Sequence, residues 1–389
     1  MREVAVVSAV RTAIGKAKKG NLKDTRPDDL LATVLTAALE RAGVPGADVD
    51  DVVIGTAMPE AEQGMNVARI AAMRAGIPDE VPALTINRFC SSGLQSIAQG
   101  ATAIMAGWQD VVLAGGVESM TQIAMGGQKP SPNPTLMAER PEAYTPMGIT
   151  AELVAERFEV TRADQDAFSL ASHNKALAAI AEGRFTDEIV PVQTRVFRNG
   201  GWHDITVDTD EGPRAGSTLE KLAKLRSPFK AGGSVTAASS SQVSDGAAAT
   251  VLMARDAAEA KGLPILGVIK SFQVVGVPPE IMGVGPKFAI PKALEAAGLT
   301  VDDIDVFEVN EAFASQALYC SRELGIPDEK LNPNGGAIAL GHPLGCTGAR
   351  MTATLLHELK RRNARYGVVS MCIGGGMGAA AVFENPDAA

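Results

Sequence analysis

Ala38-Leu39-Glu40-Arg41-Ala42-Gly43, near the start of the chain, returns as Ala293-Leu294-Glu295-Ala296-Ala297-Gly298 near its end. The register then holds without a gap, with Asp48 on Asp303, Asp50 on Asp305 and Ile54 on Val309. Further along, Val111-Val112 before a glycine pair matches Val368-Val369 before Cys372 and its glycines. A separation of about 255 residues is far too long for a solenoid, whose repeats run ~20–50 residues. It predicts two copies of one α/β unit facing each other about a pseudo-twofold axis. Within the first copy, Pro27-Asp28-Asp29 opens a helix with Leu31, Val34, Leu35, Ala38 and Leu39 on one face, and Gly43 closes it. Val4–Ser8, Val52–Ile54, Ala83–Ile86 and Val111–Ala114 read as strands, the middle two as buried ones, and Leu94, Ile97, Ala98, Ala101, Ile104 and Met105 make a second helical stripe. Such alternation favours a parallel sheet covered by helices.

Between the copies the composition changes. Ser119 to about Gln242 carries Pro130, Pro132, Pro134, Pro141 and Pro146, then a helix capped by Thr161 with Asp164 at the capping-box position. This stretch reads as an insertion. Its later section, Pro213 to Gly232, holds Arg214, Lys221, Lys224, Arg226 and Lys230 against only Glu220. A local surplus of cations suits a phosphate-bearing ligand, and a solvated lysine-rich helix fits the same residues.

The bulk composition narrows the classes. At 389 residues one core is not expected, and a net charge of −9 argues against a general nucleic-acid binder. Four cysteines are too few for a disulfide scaffold and read as thiols in a reducing compartment. With four histidines and no zinc-like Cys/His spacing, no metal is expected. The longest uncharged stretch, Gly367 to Phe383, is rich in glycine and reads as two buried strands joined by a turn, not a membrane span. No secretory leader follows Arg2-Glu3, so the expected location is cytoplasmic.

Three residues stand where chemistry is plausible. Cys90, in Cys90-Ser91-Ser92-Gly93, falls at a strand-to-helix turn, where the helix N-terminus favours thiolate over thiol. The competing reading is a buried structural cysteine. His342 sits in a glycine-dense loop from Gly335 to Gly348 and can supply the base that a cysteine nucleophile needs. Cys372 precedes Ile373-Gly374-Gly375-Gly376, whose backbone N–H groups could face an oxyanion. The strand-like residues after that run fail the test for a dinucleotide-binding turn. Cys320 reads as core and Cys346 as packing among glycines; His173 and His357 read as solvated, and His203 as part of an irregular segment.

Asn87-Arg88-Phe89-Cys90-Ser91-Ser92-Gly93-Leu94-Gln95, Asn310-Glu311-Ala312-Phe313-Ala314, Gly335 to Arg350, and Cys372 to Gly378 together resemble the thiolases. The likeness runs in order from Val4 to Phe383 and is nearest to the degradative 3-ketoacyl-CoA thiolases. It implies the α/β thiolase fold: two similar halves in five α-β-α-β-α layers with an inserted loop domain. The expected division is 1–118 plus 243–264, 119–242, and 265–389. The resemblance makes Cys90 the acylated nucleophile, His342 its base and Cys372 the second acid/base. Asn310, through a held water, and His342 would form one oxyanion site, and the N–H groups of Cys90 and Gly374 the other. CoA, a co-substrate with no tightly bound cofactor beside it, would be held by Arg214, Ser241, Met147, Phe229, Ala237 and Phe313. The family also implies a homodimer or homotetramer and admits a multifunctional β-oxidation partner.

Two departures qualify the likeness. Pro146 precedes Met147 where short-chain acetoacetyl-CoA thiolases carry histidine, which favours a longer or broader acyl range. Ala238-Ser239 replaces the usual Gly-Asn, which puts the pantetheine contacts there in doubt. The alternatives are a biosynthetic acetoacetyl-CoA thiolase, a decarboxylating ketoacyl synthase, or a thiolase-like lipid carrier without catalysis.

Overall fold

The computed structural model describes residues 2–388. Nine strands carry the architecture: β1 (Val4–Thr12), β2 (Asp51–Gly55), β3 (Ala83–Ile86), β4 (Val111–Ser119), β5 (Ser244–Ala254), β6 (Gly267–Gly276), β7 (Val306–Val309), β8 (Tyr366–Ile373) and β9 (Met377–Glu384). The helices that matter for the site are α1 (Pro27–Ala42), α2 (Ser92–Met105), α3 (Arg162–Ala181), α4 (Gly285–Ala297), α5 (Ala314–Leu324) and α6 (Leu344–Arg362). In space the strands run β7-β8-β9-β6-β1-β5-β4-β2-β3. Outward from the centre, β6, β9, β8 and β7 mirror β1, β5, β4 and β2. The strands of the two halves pair at Ala5–Val268 and Val6–Gly267.

The repeat is a structural one. Its two copies close α1 and α4, where Gly43 (φ 65°) and Gly298 (φ 71°) adopt the left-handed conformation that ends a helix. Asp50 Oδ2 then accepts the N–H groups of Asp110 and Val111, and Asp305 Oδ2 those of Arg365 and Tyr366. Val52 pairs with Leu113 and Phe307 with Val368, so the spacing from Ala38 to Ala293 persists into β4 and β8. The alignment of Val111-Val112 on Val368-Val369 is therefore two residues out. Leu113-Ala114 occupy that place.

The sheet is mixed, not parallel as alternation predicted. Along this path β3-β2-β4 and β7-β8 pair in parallel, and the other neighbours are antiparallel. At β8-β9 the cause is local: Gly375 and Gly376 at φ 80° and 86° turn the chain back on itself. The expectation of a buried β3 also fails. It is the terminal strand of the path, Ala83, Thr85 and Ile86 are only half-buried, and Leu84 is exposed.

Helices cover the sheets in the expected five layers. Leu30, Leu31, Val34 and Leu35 of α1 seal one outer face; Ala289, Ile290 and Leu294 of α4 seal the other. Between the halves lie α2 and α6, which pack on each other, and α6 touches strands of both halves. Leu94, Ile97, Met351 and Leu355 share a core there with Leu252 and Val369. Glycines let these helices meet backbone to backbone. A Cβ on Gly348 would lie 2.4 Å from the Leu94 nitrogen, and one on Gly93 2.8 Å from the Ala349 nitrogen. The contact brings the N-terminal ends of both helices together, and Leu344, two residues after His342, packs with Cys90 there.

The inserted stretch contains the helix Met147–Arg157, then α3 with the Thr161–Asp164 capping box formed. It also contains a hairpin, Val192–Arg198 with Gly201–Val207, so His203 belongs to a strand and not to an irregular segment. The basic section is mostly exposed loop, helical only at Leu219–Ala223.

Candidate active site

Cys90 stands in the short helical turn Phe89–Ser91 between β3 and α2, as its sequence context predicted. Two side chains build that turn. Asn87 Oδ1 accepts the Phe89 N–H at 2.8 Å while Asn87 Nδ2 donates to Ala57 O at 3.0 Å. Ser92 Oγ accepts the Arg88 N–H at 2.8 Å and donates to Phe89 O at 2.7 Å. Together they hold Phe89 at φ 43°, a strained backbone for a bulky residue. The thiolate expectation is overturned. Burial pushes the Cys90 thiol up to about 11, and the N–H of Gly374 directed at the sulfur offsets only part of that rise. At rest Cys90 is a thiol.

His342 is buried, and its hydrogen bonds select one tautomer. Thr347 Oγ1 donates to Pro343 O at 3.0 Å, so its oxygen accepts from His342 Nδ1–H at 2.6 Å. Nε2 is then the bare nitrogen, and Asn310 Nδ2 donates to it at 3.3 Å. Burial, reinforced by the Arg350 charge, lowers the imidazole to about 3. It is therefore neutral at pH 7, as a proton acceptor must be. The His342 N–H is anchored on Gln242 O, and Gln242 Nε2 donates to Gly212, Ile338 and Ala339 carbonyls.

Cys372 is fully buried near the end of β8, two residues before the Gly374 that faces Cys90. Burial, then the nearby Cys90 and Cys320, hold its thiol far above the ordinary value. It shares an apolar cluster with Ala151, Val235, Ala312, Phe313 and Met147. Met147 also borders Gly374, and the Phe229 ring meets Phe313 edge-on at 6.1 Å. Ser241 N–H bonds Ala312 O beside them. Arg214 and Ala237 are exposed. Cys90, His342, Asn310, Cys372, Gly374, Met147, Phe229, Phe313 and Ser241 thus fall in connected contacts, whereas Arg214 and Ala237 stand on the surface beyond them.

Of the remaining cysteines and histidines, His173 and His357 differ from expectation, as His203 does. Cys320 and Cys346 are fully buried, as read. His173 is not solvated: it is buried, its Nδ1 accepts the Arg214 N–H at 3.3 Å, and burial lowers it to about 4. His357 is half-buried and bonded to Ala9 O at 3.0 Å. Sequence reasoning passed over Thr347, Gln242 and Glu118. Only Glu118 left a signal, an acidic residue inside an apolar strand.

Comparison with known proteins agrees with this geometry. The family model "Thiolase, N-terminal domain" matches residues 4–256 and "Thiolase, C-terminal domain" residues 263–385. A 3-ketoacyl-CoA thiolase of Bacillus subtilis is 55% identical over 389 residues, covering 99% of this chain and 100% of the relative. The peroxisomal 3-ketoacyl-CoA thiolase A of Mus musculus is 56% identical over 99% of this chain and 91% of its own. Human mitochondrial 3-ketoacyl-CoA thiolase superposes with a TM-score of 0.90 at 41% identity, covering 99% of each chain. The dimeric peroxisomal thiolase of Saccharomyces cerevisiae gives 0.90 at 47%, covering 99% of this chain and 97% of its own. An acetyl-CoA acetyltransferase of Bacillus anthracis gives 0.90 at 43% identity, covering 99% of each. With two family models spanning both halves and relatives matched over nearly their whole length, the chain belongs to the thiolase family.

Proposed function

We propose that the protein is an acyltransferase that cleaves 3-ketoacyl-CoA with CoA, giving acetyl-CoA and an acyl-CoA two carbons shorter, in fatty-acid β-oxidation. Cys90 Sγ attacks the 3-keto carbon as His342 Nε2 takes its proton. The carbon–carbon bond then breaks, leaving an acyl thioester on Cys90, and Cys372 delivers a proton to the departing acetyl-CoA carbanion. In the second half the Cys372 thiolate takes the proton of the CoA thiol, the CoA sulfur attacks the thioester, and Cys90 leaves as thiolate and regains its proton from His342. The N–H groups of Gly374 and Cys90 hold one developing oxyanion, and Asn310 with His342 the other.

One observation carries this reading. A thiol in one half packs with Leu344, two residues after a neutral imidazole with a bare Nε2 in the other half, and Gly374 aims an N–H at the sulfur. The apolar lining at Met147, Phe229 and Phe313 suits pantetheine, and the exposed Arg214 suits a CoA phosphate, with Ser241 and Ala237 assigned to the same ligand. Relatives named 3-ketoacyl-CoA thiolase at 55% and 56% identity over nearly the whole chain favour the degradative subclass. Human mitochondrial 3-ketoacyl-CoA thiolase is known in complex with CoA, which supports CoA as co-substrate here. We assign residues 1–118 with 243–264 to one half, 119–242 to a substrate-binding insertion and 265–389 to the other half. A homodimer is expected through the edge of β3, and sedimentation as a monomer would overturn it. The decisive experiment is thiolysis of a medium-chain 3-ketoacyl-CoA by Cys90→Ala. Turnover should fall by about 10³-fold or more; wild-type turnover in the variant rules the mechanism out.

A further inference from the structure

We infer that Glu118 is a positioning residue that sets the separation of Cys90 from His342, a role that rests on the reaction proposed above. Glu118 lies near the end of β4 and is fully buried. No cation pairs with it among the described residues. Its charge is met instead by five donors, as a buried carboxylate requires. Oε2 accepts the N–H groups of Ala57 at 2.7 Å and Gly345 at 2.8 Å. Oε1 accepts from Gln63 Nε2 at 2.6 Å, Met58 N–H at 3.2 Å and Thr56 Oγ1 at 3.3 Å.

The ownership of those donors is what matters. Ala57 follows β2, and its carbonyl accepts Asn87 Nδ2, the amide that also shapes the turn before Cys90. Gly345 lies three residues after His342, in the helical turn whose Thr347 fixes the imidazole. A single oxygen, Oε2, therefore joins the nucleophile's support in one half to the base's support in the other. Hard contacts surround the joint. A Cβ on Gly345 would lie 2.5 Å from Thr56 Cα and 2.8 Å from Glu118 Oε2; one on Gly116 would lie 2.1 Å from Gly345 O. Cys90 packs with Ala57, Met120 and Leu344 beside it.

Electrostatically the residue works against the nucleophile, since the Glu118 charge adds to the rise of the Cys90 pKa. Neutralising it eases ionisation of Cys90 while loosening the site, and this opposition separates positioning from simple loss of fold. Glu118→Gln is nearly isosteric, but its amide nitrogen must face either the Ala57–Gly345 donors or the Gln63–Met58 set. The expected result is a kcat for thiolysis lowered about tenfold to a hundredfold, with KM within about twofold. Alkylation of Cys90 by iodoacetamide should be as fast as in the wild type or faster. A kcat within about twofold of wild type overturns the inference. So does a fall in kcat matched by equally slowed alkylation. Should Glu118→Gln fail to fold, Gly345→Ala strains the same joint from the other side and must show the same split between kcat and alkylation. Wild type and Cys90→Ala run alongside separate the two levels: an inactive wild type sinks the thiolysis reading, whereas an active wild type, a dead Cys90→Ala and an unimpaired Glu118→Gln sink only this inference.

Discussion

At the scale of single residues, Cys90 and His342 hold their proton in the opposite arrangement to an ion pair. Burial raises the thiol to about 11 and lowers the imidazole to about 3, so the resting site stores no thiolate. In the reaction proposed above, proton transfer is then tied to substrate attack. The consequence is measurable. Alkylation of Cys90 by iodoacetamide should keep accelerating as pH rises from neutral toward 10, because the thiolate fraction is still growing there. A plateau already reached near pH 8, the ordinary thiol range, would contradict the buried-thiol picture. The sequence made Cys90, His342 and Cys372 conspicuous because each is a rare residue type set in a turn rich in glycine or small polar residues. Thr347, Gln242 and Glu118 were not conspicuous. Their work is to touch a partner on another element, and no local pattern records that contact.

At the scale of elements, the approach of α2 to α6 decides where the chemistry can happen. Both helices carry glycine at the crossing because a neighbouring backbone occupies the space a side chain would need. Gly348→Ala would press its Cβ to within 2.4 Å of the Leu94 nitrogen, and a backbone atom cannot swing aside as a flexible side chain can. Denaturant unfolding should show a loss of about 1–3 kcal/mol, accompanied by a lower kcat, since separating the helices separates Cys90 from His342. Unchanged stability would mean the crossing is softer than its geometry implies. Helix ends and stripes were readable in advance at α1 and α2, where caps and apolar spacing are local. The pairing directions were not: a parallel sheet was expected, and the Gly375-Gly376 turn and the return of β5 after the insertion made most of it antiparallel.

At the scale of the whole molecule, buried ionisable groups make stability depend on pH in a definite way. The unfolded chain protonates His173 near 6.5, but the folded chain only near 4. Between those values the unfolded state binds more protons, so this group's contribution to stability grows with pH and is lost as pH falls from about 6.5 to 4. Glu308 acts in the opposite sense. Burial raises it from 4.5 to about 8, and the folded state holds the extra proton across that window. Comparing His173→Gln with the wild type isolates the first effect: the variant's melting temperature should drop less between pH 7 and pH 5. Identical slopes in the two proteins would show that His173 is not held neutral by the fold.

What the sequence determined by itself was the duplication, the stretch of different composition between its copies and the caps of individual helices; it also singled out the three residues to which chemistry is assigned here. All of these are properties of neighbouring residues or of a motif compared with its own second copy. Tertiary structure alone decided the mixed sheet, the exposure of β3, the burial of His173 and the protonation of Cys90. It also decided which oxygen of Glu118 ties the two halves together. Those features depend on which atoms are close in space and how much water they exclude, and both quantities are set only when residues distant in sequence pack together.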